Sequence, residues 1–355
     1  MKIVVYGAGG VGAFYGGLLA RAGHHVHFVA RGAQLEALRT GGLRISSLAL
    51  GEISIPPVPA TASAAEAGLA DLVLVCVKAH QTAGILEDVA ACVGPETILI
   101  ALQNGVESDE VLAGRFGSEH VVSAVVYVGS TLERPGLVRH VAAGTLVIGR
   151  SFRLNPEATH ASPLPSASSG SEPAASGSRP AASGFSRKNT VDDIRDVLAS
   201  TGLPVRISPD IERQRWHKLA WNASFNAISA LTLRSSQELL GHPPTRALLV
   251  SMMREVVAVA NARGVALGEA DIEQLVGTTE KAAPIRTSML VDRERGRQLE
   301  TDALVGVVVR KGREAGVPTP IAEVLYSLLA AIEMPRADAP ADLPPMEAGA
   351  FQPNP

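Results

Sequence analysis

A chain of 355 residues, 46% of them hydrophobic, can fill two cores and reads as a soluble globular protein of two domains. Its formal net charge of −3, without a run of Lys or Arg, gives no electrostatic reason to bind nucleic acid or an anionic membrane, so the expected partner is a small molecule. The two cysteines, Cys76 and Cys92, stand at neither metal-ligand nor redox spacing. They read as buried apolar fillers in a reducing cytoplasm, and no metal is expected.

The chain begins MKIVVYGAGG, one Lys and a short apolar run that halts at glycine, which fits a first strand and not a signal peptide. No apolar stretch approaches membrane-spanning length. The strand runs into Gly7-Ala8-Gly9-Gly10-Val11-Gly12, a G-x-G-x-x-G that opens the amphipathic stretch AFYGGLLARAG. Such a turn lets a helix N-terminus face a dinucleotide pyrophosphate with its unpaired N–H groups. Glycine-rich turns also end helices and strands for structural reasons alone, but here the motif sits within a strand–turn–helix–strand unit. The second strand, HHVHFVAR, ends at Arg31 where an acidic residue would accept a hydrogen bond from the ribose of NAD. A guanidinium there can pair with a 2′-phosphate, so NADPH is the expected cofactor, the competing reading being a solvated surface arginine.

Further apolar runs, DLVLVCVK, TILIALQ and HVVSAVVYV, continue the strand–helix alternation of a parallel sheet covered on both faces. Two of them end in polar loops, VKAHQ with Lys78 and Gln81, and LQNG with Asn104, at the strand ends where open α/β sheets place ligands. Taken singly, Lys78 also reads as a solvated loop end, and Gln81 and Asn104 as turn caps. Residues 154–187, rich in Ser, Ala, Pro and Gly, could bury almost nothing and read as a disordered insertion. TVDDIRDVLASTG then predicts a helix and LPVRIS a strand, closing a first domain over 1–209. From 210 to 334 strand signals vanish and long helical patterns follow, and the tail 335–355 resembles the insertion in composition. The fold class is therefore α/β: an N-terminal Rossmann-type parallel-sheet domain followed by an all-helical C-terminal domain.

At the start of the helical half, WHKLAWNASFNA places Lys218, Asn222 and Asn226 four residues apart, a polar stripe among Trp216, Leu219, Trp221, Phe225 and Ile228. Burying it without partners would be costly. It reads either as a helix–helix contact held by amides, with Lys218 reaching solvent, or as the floor of the cofactor crevice, and its position just after the nucleotide domain favours the second.

Together GAGGVGAFYG, Arg31, VKAHQT, LQNG, Lys218-x3-Asn222-x3-Asn226 and the RTSML…ETDAL region with Ser288 and Glu300 resemble the ketopantoate reductase (2-dehydropantoate 2-reductase) family. More loosely they are similar to NADPH-dependent 2-oxoacid reductases at large. The resemblance spans Met1 to Met334 apart from the insertion. It implies reduction of 2-dehydropantoate to pantoate, toward pantothenate and coenzyme A. It implies that Lys218 protonates the carbonyl oxygen, that Glu300 binds the substrate hydroxyl, and that Asn104 sits by Lys218 and the nicotinamide. Ser288, Asn222 and Asn226 would hold substrate carboxylate and hydroxyl groups; Arg31, Lys78 and Gln81, with the glycine loop, would bind cofactor. The chemistry agrees: hydride addition builds negative charge on oxygen, and lysine, unlike arginine, can both neutralise it and surrender a proton. Outside the resemblance, Glu300 reads as a helix N-terminal acid and Ser288 as a plain helical serine. The alternatives are a reductase of another branched or aromatic 2-oxoacid and, in a different class, a non-catalytic NADP(H) sensor, which would need no proton donor. Helical second domains often pair, so a homodimer through that domain is the assembly to test.

Overall fold

A computed structural model describes residues 1–151 and 190–334; the expectations for the insertion at 154–187 and for the tail 335–355 lie outside these residues. The first half alternates as its pattern requires. β1 (Lys2–Tyr6), β2 (His25–Val29), β6 (Leu72–Val75) and β7 (Ile98–Ala101) pair in parallel, with β3 (Leu43–Ser47), β4 (Gly51–Ile55) and β5 (Ala60–Thr61) lying between β2 and β6 in sequence. β6 and β7 are buried along their whole length, the mark of strands covered on both faces. Alternation divides β1 between two cores: Ile3 and Val5 face one, with Phe14, Tyr15, Leu18 and Leu19 of α1 (Gly10–Arg21), while Val4 and Tyr6 face the other, with Val89 and Leu112. These last two come from α3 (Leu86–Ala90) and α4 (Ser108–Phe116), after α2 (Gly32–Thr40) has led from β2 into β3.

The sheet runs β4-β3-β9-β8-β7-β6-β1-β2-β5, with β8 at Val121–Arg134 and β9 at Leu137–Gly149. Here the structure adds to the sequence reading. Among the described residues two pairs are antiparallel, β3 with β4 and β8 with β9, and the long β8–β9 hairpin carries register shifts, one at Tyr127/Val128. Such bulges re-aim side chains near sites. After α5 (Thr190–Ala199), β10 (Val205–Ile207) returns to pair with β9, so the expected helix and strand after the insertion are both present.

From Ile211 onward the described residues are helical. α6 (Ile211–Trp221) passes through a π-helical turn at Asn222–Asn226 into α7 (Ala227–Thr232). Then come α8 (Ser236–Gly241), α9 (Pro243–Ala262), α10 (Glu269–Lys281) and α11 (Ser288–Glu294). A second π-helical turn, Asp302–Gly306, leads into α12 (Val307–Ala315), and α13 (Pro320–Glu333) follows. Trp216 and Phe225 pack with Met252, Met253 and Val256 of α9 in a core of their own, joined by Val106 from the loop between β7 and α4. The two halves are thus pinned together beside Asn104. Among the described residues no helix is long and apolar enough to cross a membrane, and no group of three or more His, Cys, Asp or Glu is placed to hold a metal ion.

Candidate functional site

The glycine turn after β1 closes tightly. Gly7 has φ +98, in the region that favours glycine, and a Cβ on Gly12 would lie 2.0 Å from the Gly7 carbonyl oxygen, so helix and strand meet only because both lack side chains. At Gly9, the residue before α1, a Cβ would meet nothing within 4 Å, and no side chain caps the first turn of the helix. The first turn of the helix thus has no side-chain partner for its N–H groups and the space beside Gly9 is open, although a Cβ on Gly10 would lie 2.6 Å from the Ser130 carbonyl oxygen; such a turn suits a pyrophosphate. Arg31 stands exposed at the end of β2, just before α2. Its charge lies close enough to Asp88 to help hold that carboxyl below the usual range: burial opposes the shift, and hydrogen bonds from Ser63, Tyr6 and the Ala64 N–H outweigh it.

Across the crevice the polar stripe of α6 points inward. Lys218 donates from Nζ to the Val126 carbonyl oxygen at 2.6 Å and to Asn104 Oδ1 at 3.0 Å, and lies 5.8 Å from the centroid of the Tyr127 ring. Asn104 Nδ2 donates in turn to Glu300 Oε2 at 3.2 Å. Asn226 donates to Asn222 Oδ1 at 3.3 Å and accepts on Oδ1 from Ser288 Oγ at 3.0 Å and from the Met289 N–H at 3.1 Å. The amides are thus satisfied by one another and by the start of α11, as burial demands. Four-residue spacing brought these residues to one face, but the turn holding the two asparagines is π-helical, a widening that recurs at functional sites. The second π-turn approaches from the other side: Gly105 has φ +95, and a Cβ there would lie 2.8 Å from the Ala303 carbonyl oxygen. Two widened turns and one glycine hold Asn104 between Lys218 and Glu300.

Burial lowers the Lys218 ammonium from the ordinary lysine range to about 8, with the Glu300 carboxylate opposing the shift. Lys78 is different. It does not stand free at its loop end but reaches across to the helical half, 2.9 Å from Asp292 Oδ2 and 3.4 Å from Glu300 Oε2. Burial would lower it, yet the Glu300 and Asp292 carboxylates prevail and raise it. Gln81 is exposed and turned back to accept the Lys78 N–H on Oε1 at 3.3 Å, a cap on its own turn. Sequence reasoning brought Lys218, Asn104, Asn222, Asn226, Ser288 and Glu300 to one place. It missed Asp292, whose only signal is its position one helical turn after Ser288, and the Val126 carbonyl, which no side-chain pattern could mark.

Comparison with known proteins places the chain in a family. Residues 3–151 match the family model of ketopantoate reductase PanE/ApbA, and residues 210–333 match the model of its C-terminal domain. The 2-dehydropantoate 2-reductase of Mesorhizobium japonicum is 31% identical over 95% of this chain and 99% of its own, and that of Nostoc sp. is 27% identical over 92% and 94%. The crystal structure of 2-dehydropantoate 2-reductase from Geobacter metallireducens superposes with a TM-score of 0.80 at 29% identity, covering 93% of this chain and 99% of that one. With both halves of the chain matched, it belongs to the ketopantoate reductase family and is an oxidoreductase.

Proposed function

We propose that the protein is an NADPH-dependent 2-dehydropantoate 2-reductase of the cytoplasm, reducing ketopantoate to pantoate on the way to pantothenate and coenzyme A. The observation that carries the reading is the Lys218 ammonium, brought to about 8 by burial and held by Asn104 and the Val126 carbonyl at the crevice between the glycine loop and the helices. In this reading residues 1–209 hold the cofactor and residues 210–334 the substrate. The open helix N-terminus above Gly9, with the backbone N–H groups of Gly10, Val11 and Gly12, fits a pyrophosphate, and Arg31 fits the 2′-phosphate. A dihydronicotinamide cofactor held by this domain would supply hydride to the ketone carbon.

The chain's own residues do the rest. Lys218 stays largely protonated at neutral pH, so Nζ stabilises the charge growing on the carbonyl oxygen and then gives it a proton. Asn104 fixes the direction of that ammonium by accepting one of its hydrogens. Ser288, at the exposed start of α11, binds the substrate's carboxylate or hydroxyl, oriented by the buried amides of Asn226 and Asn222 behind it, and Glu300 accepts from the hydroxyl. Lys78 pairs with Glu300 and Asp292 as a fixed cation, apart from the proton-donor role. NADPH consumption with ketopantoate, beside a panel of branched and aromatic 2-oxoacids and repeated with NADH, tests the proposal. Preference for ketopantoate and NADPH supports it; faster turnover of another 2-oxoacid, or equal use of NADH, overturns the substrate or the cofactor assignment.

A further inference from the structure

Three residues before Lys218 on α6, Arg215 is buried against Asp109 of α4. Its Nη1 lies 3.2 Å from Asp109 Oδ2 and 2.8 Å from Glu212 Oε1, and the Arg215 and Asp109 side chains are only 3% and 2% exposed. Asp109 stands five residues after Asn104, and Val106 between them is packed into the helical core. The same two stretches of chain are therefore joined twice: in the crevice by Lys218 and Asn104, and one helical turn away by Arg215 and Asp109. Burial disfavours the charge on Asp109 and Arg215 counters it, with Ser123 of β8 alongside. A buried ion pair is a poor source of net stability, since apolar residues of similar volume often serve as well. Asp109 Oδ2 and Arg215 Nε make no hydrogen bond, so what the pair fixes is the approach of the two helices, through the contact of opposite buried charges.

We propose that the Arg215–Asp109 pair is a positioning device for the proton donor, locking α6 against α4 so that Lys218 Nζ and Asn104 Oδ1 stay in register at the crevice. The inference rests on the reading of Lys218 as that donor. Glu212 from α6 and Glu110 from α4 act electrostatically on the pair. Lys218 itself meets Asn104, the Val126 carbonyl, the Tyr127 ring and the field of Glu300, with Lys78 and Asp292 one contact further. Loosening the lock admits water to the ammonium and returns it toward the ordinary lysine range, because burial is what lowers it.

The experiment is the pH profile of kcat for Asp109→Leu/Arg215→Leu, which removes both charges together, with its melting temperature and NADPH affinity measured alongside. The double variant is expected to melt near the parent and to bind NADPH unchanged. Its kcat should fall by about ten- to a hundred-fold, as small misplacements of catalytic groups do, and its alkaline limb should move to higher pH. Asp109→Asn, isosteric and leaving Arg215 beside Glu212, is read in the same way should the double variant not fold. A folded variant with the parent's kcat and limb, or one with lowered kcat and an unmoved limb, overturns the positioning role and leaves the pair as packing. A parent enzyme with no limb near pH 8 removes the proton-donor reading and this inference with it, so the two failures are told apart.

Discussion

Two lysines reach the crevice from opposite halves of the chain and are tuned in opposite directions. Lys78, from the loop after β6, lies against two carboxylates and is raised; Lys218, from α6, is enclosed by a carbonyl, an amide and an aromatic ring and is brought down to about 8. Both are desolvated, and the difference lies in where the acids are. Asp292 and Glu300 touch Lys78 directly, whereas Glu300 is joined to Lys218 by hydrogen bonds only through Asn104 and otherwise acts on it through its field. An amide interposed between a carboxylate and an ammonium thus separates a fixed cation from one able to release its proton.

That contrast can be broken at either lysine. Lys218→Ala should lower turnover by about 10²- to 10⁴-fold, the worth of a positioned proton donor, while NADPH binding measured by fluorescence titration stays near the parent's; turnover within a few-fold of the parent would make the two lysines equivalent. Lys78→Met should act on stability first. It strips the cation from two buried carboxylates, a loss discounted because the Lys78 side chain is 41% exposed, and should cost about 1–2 kcal/mol in urea denaturation. Retained stability would show the acids to be satisfied by other groups. Glu300→Gln sharpens the comparison. It removes the one carboxylate that raises Lys218, so the lysine titrates at lower pH and kcat near pH 8 should drop a few-fold relative to its value at pH 6. A limb that does not move would mean that Asn104 screens the carboxylate completely.

The parts of this site that the sequence made legible are those written in local periods. The glycine turn follows a buried strand and opens a helix, and Lys218, Asn222 and Asn226 repeat at helical spacing, so both could be placed without coordinates. Lys78 was visible as a loop cation, but its partner Asp292 is 214 residues away in sequence, and only tertiary packing joins them. β9 escaped the strand reading because LVRHVAAGTLVIG interrupts its β-branched residues with Ala142, Ala143 and Gly144, residues of low strand propensity; the hairpin with β8 nonetheless pairs the two alanines and shifts register at Gly144. The two π-turns leave no compositional trace, since the widening of a helix is settled by what packs against it. Fold class, the glycine turn and the Lys218 stripe thus came from pattern, Ser288 and Glu300 from the family resemblance, and the charge network around them from the folding of one half on the other.

The most direct measurement is the pH dependence of kcat for ketopantoate reduction by the unaltered enzyme at saturating NADPH. A proton donor whose folded value is lowered to about 8 is protonated below that pH and loses its proton above it, so kcat should hold through neutrality and fall as pH rises through about 8. A kcat that stays level from pH 6 to pH 10 while Lys218→Ala still turns over normally would contradict the assignment of Lys218 as the acid.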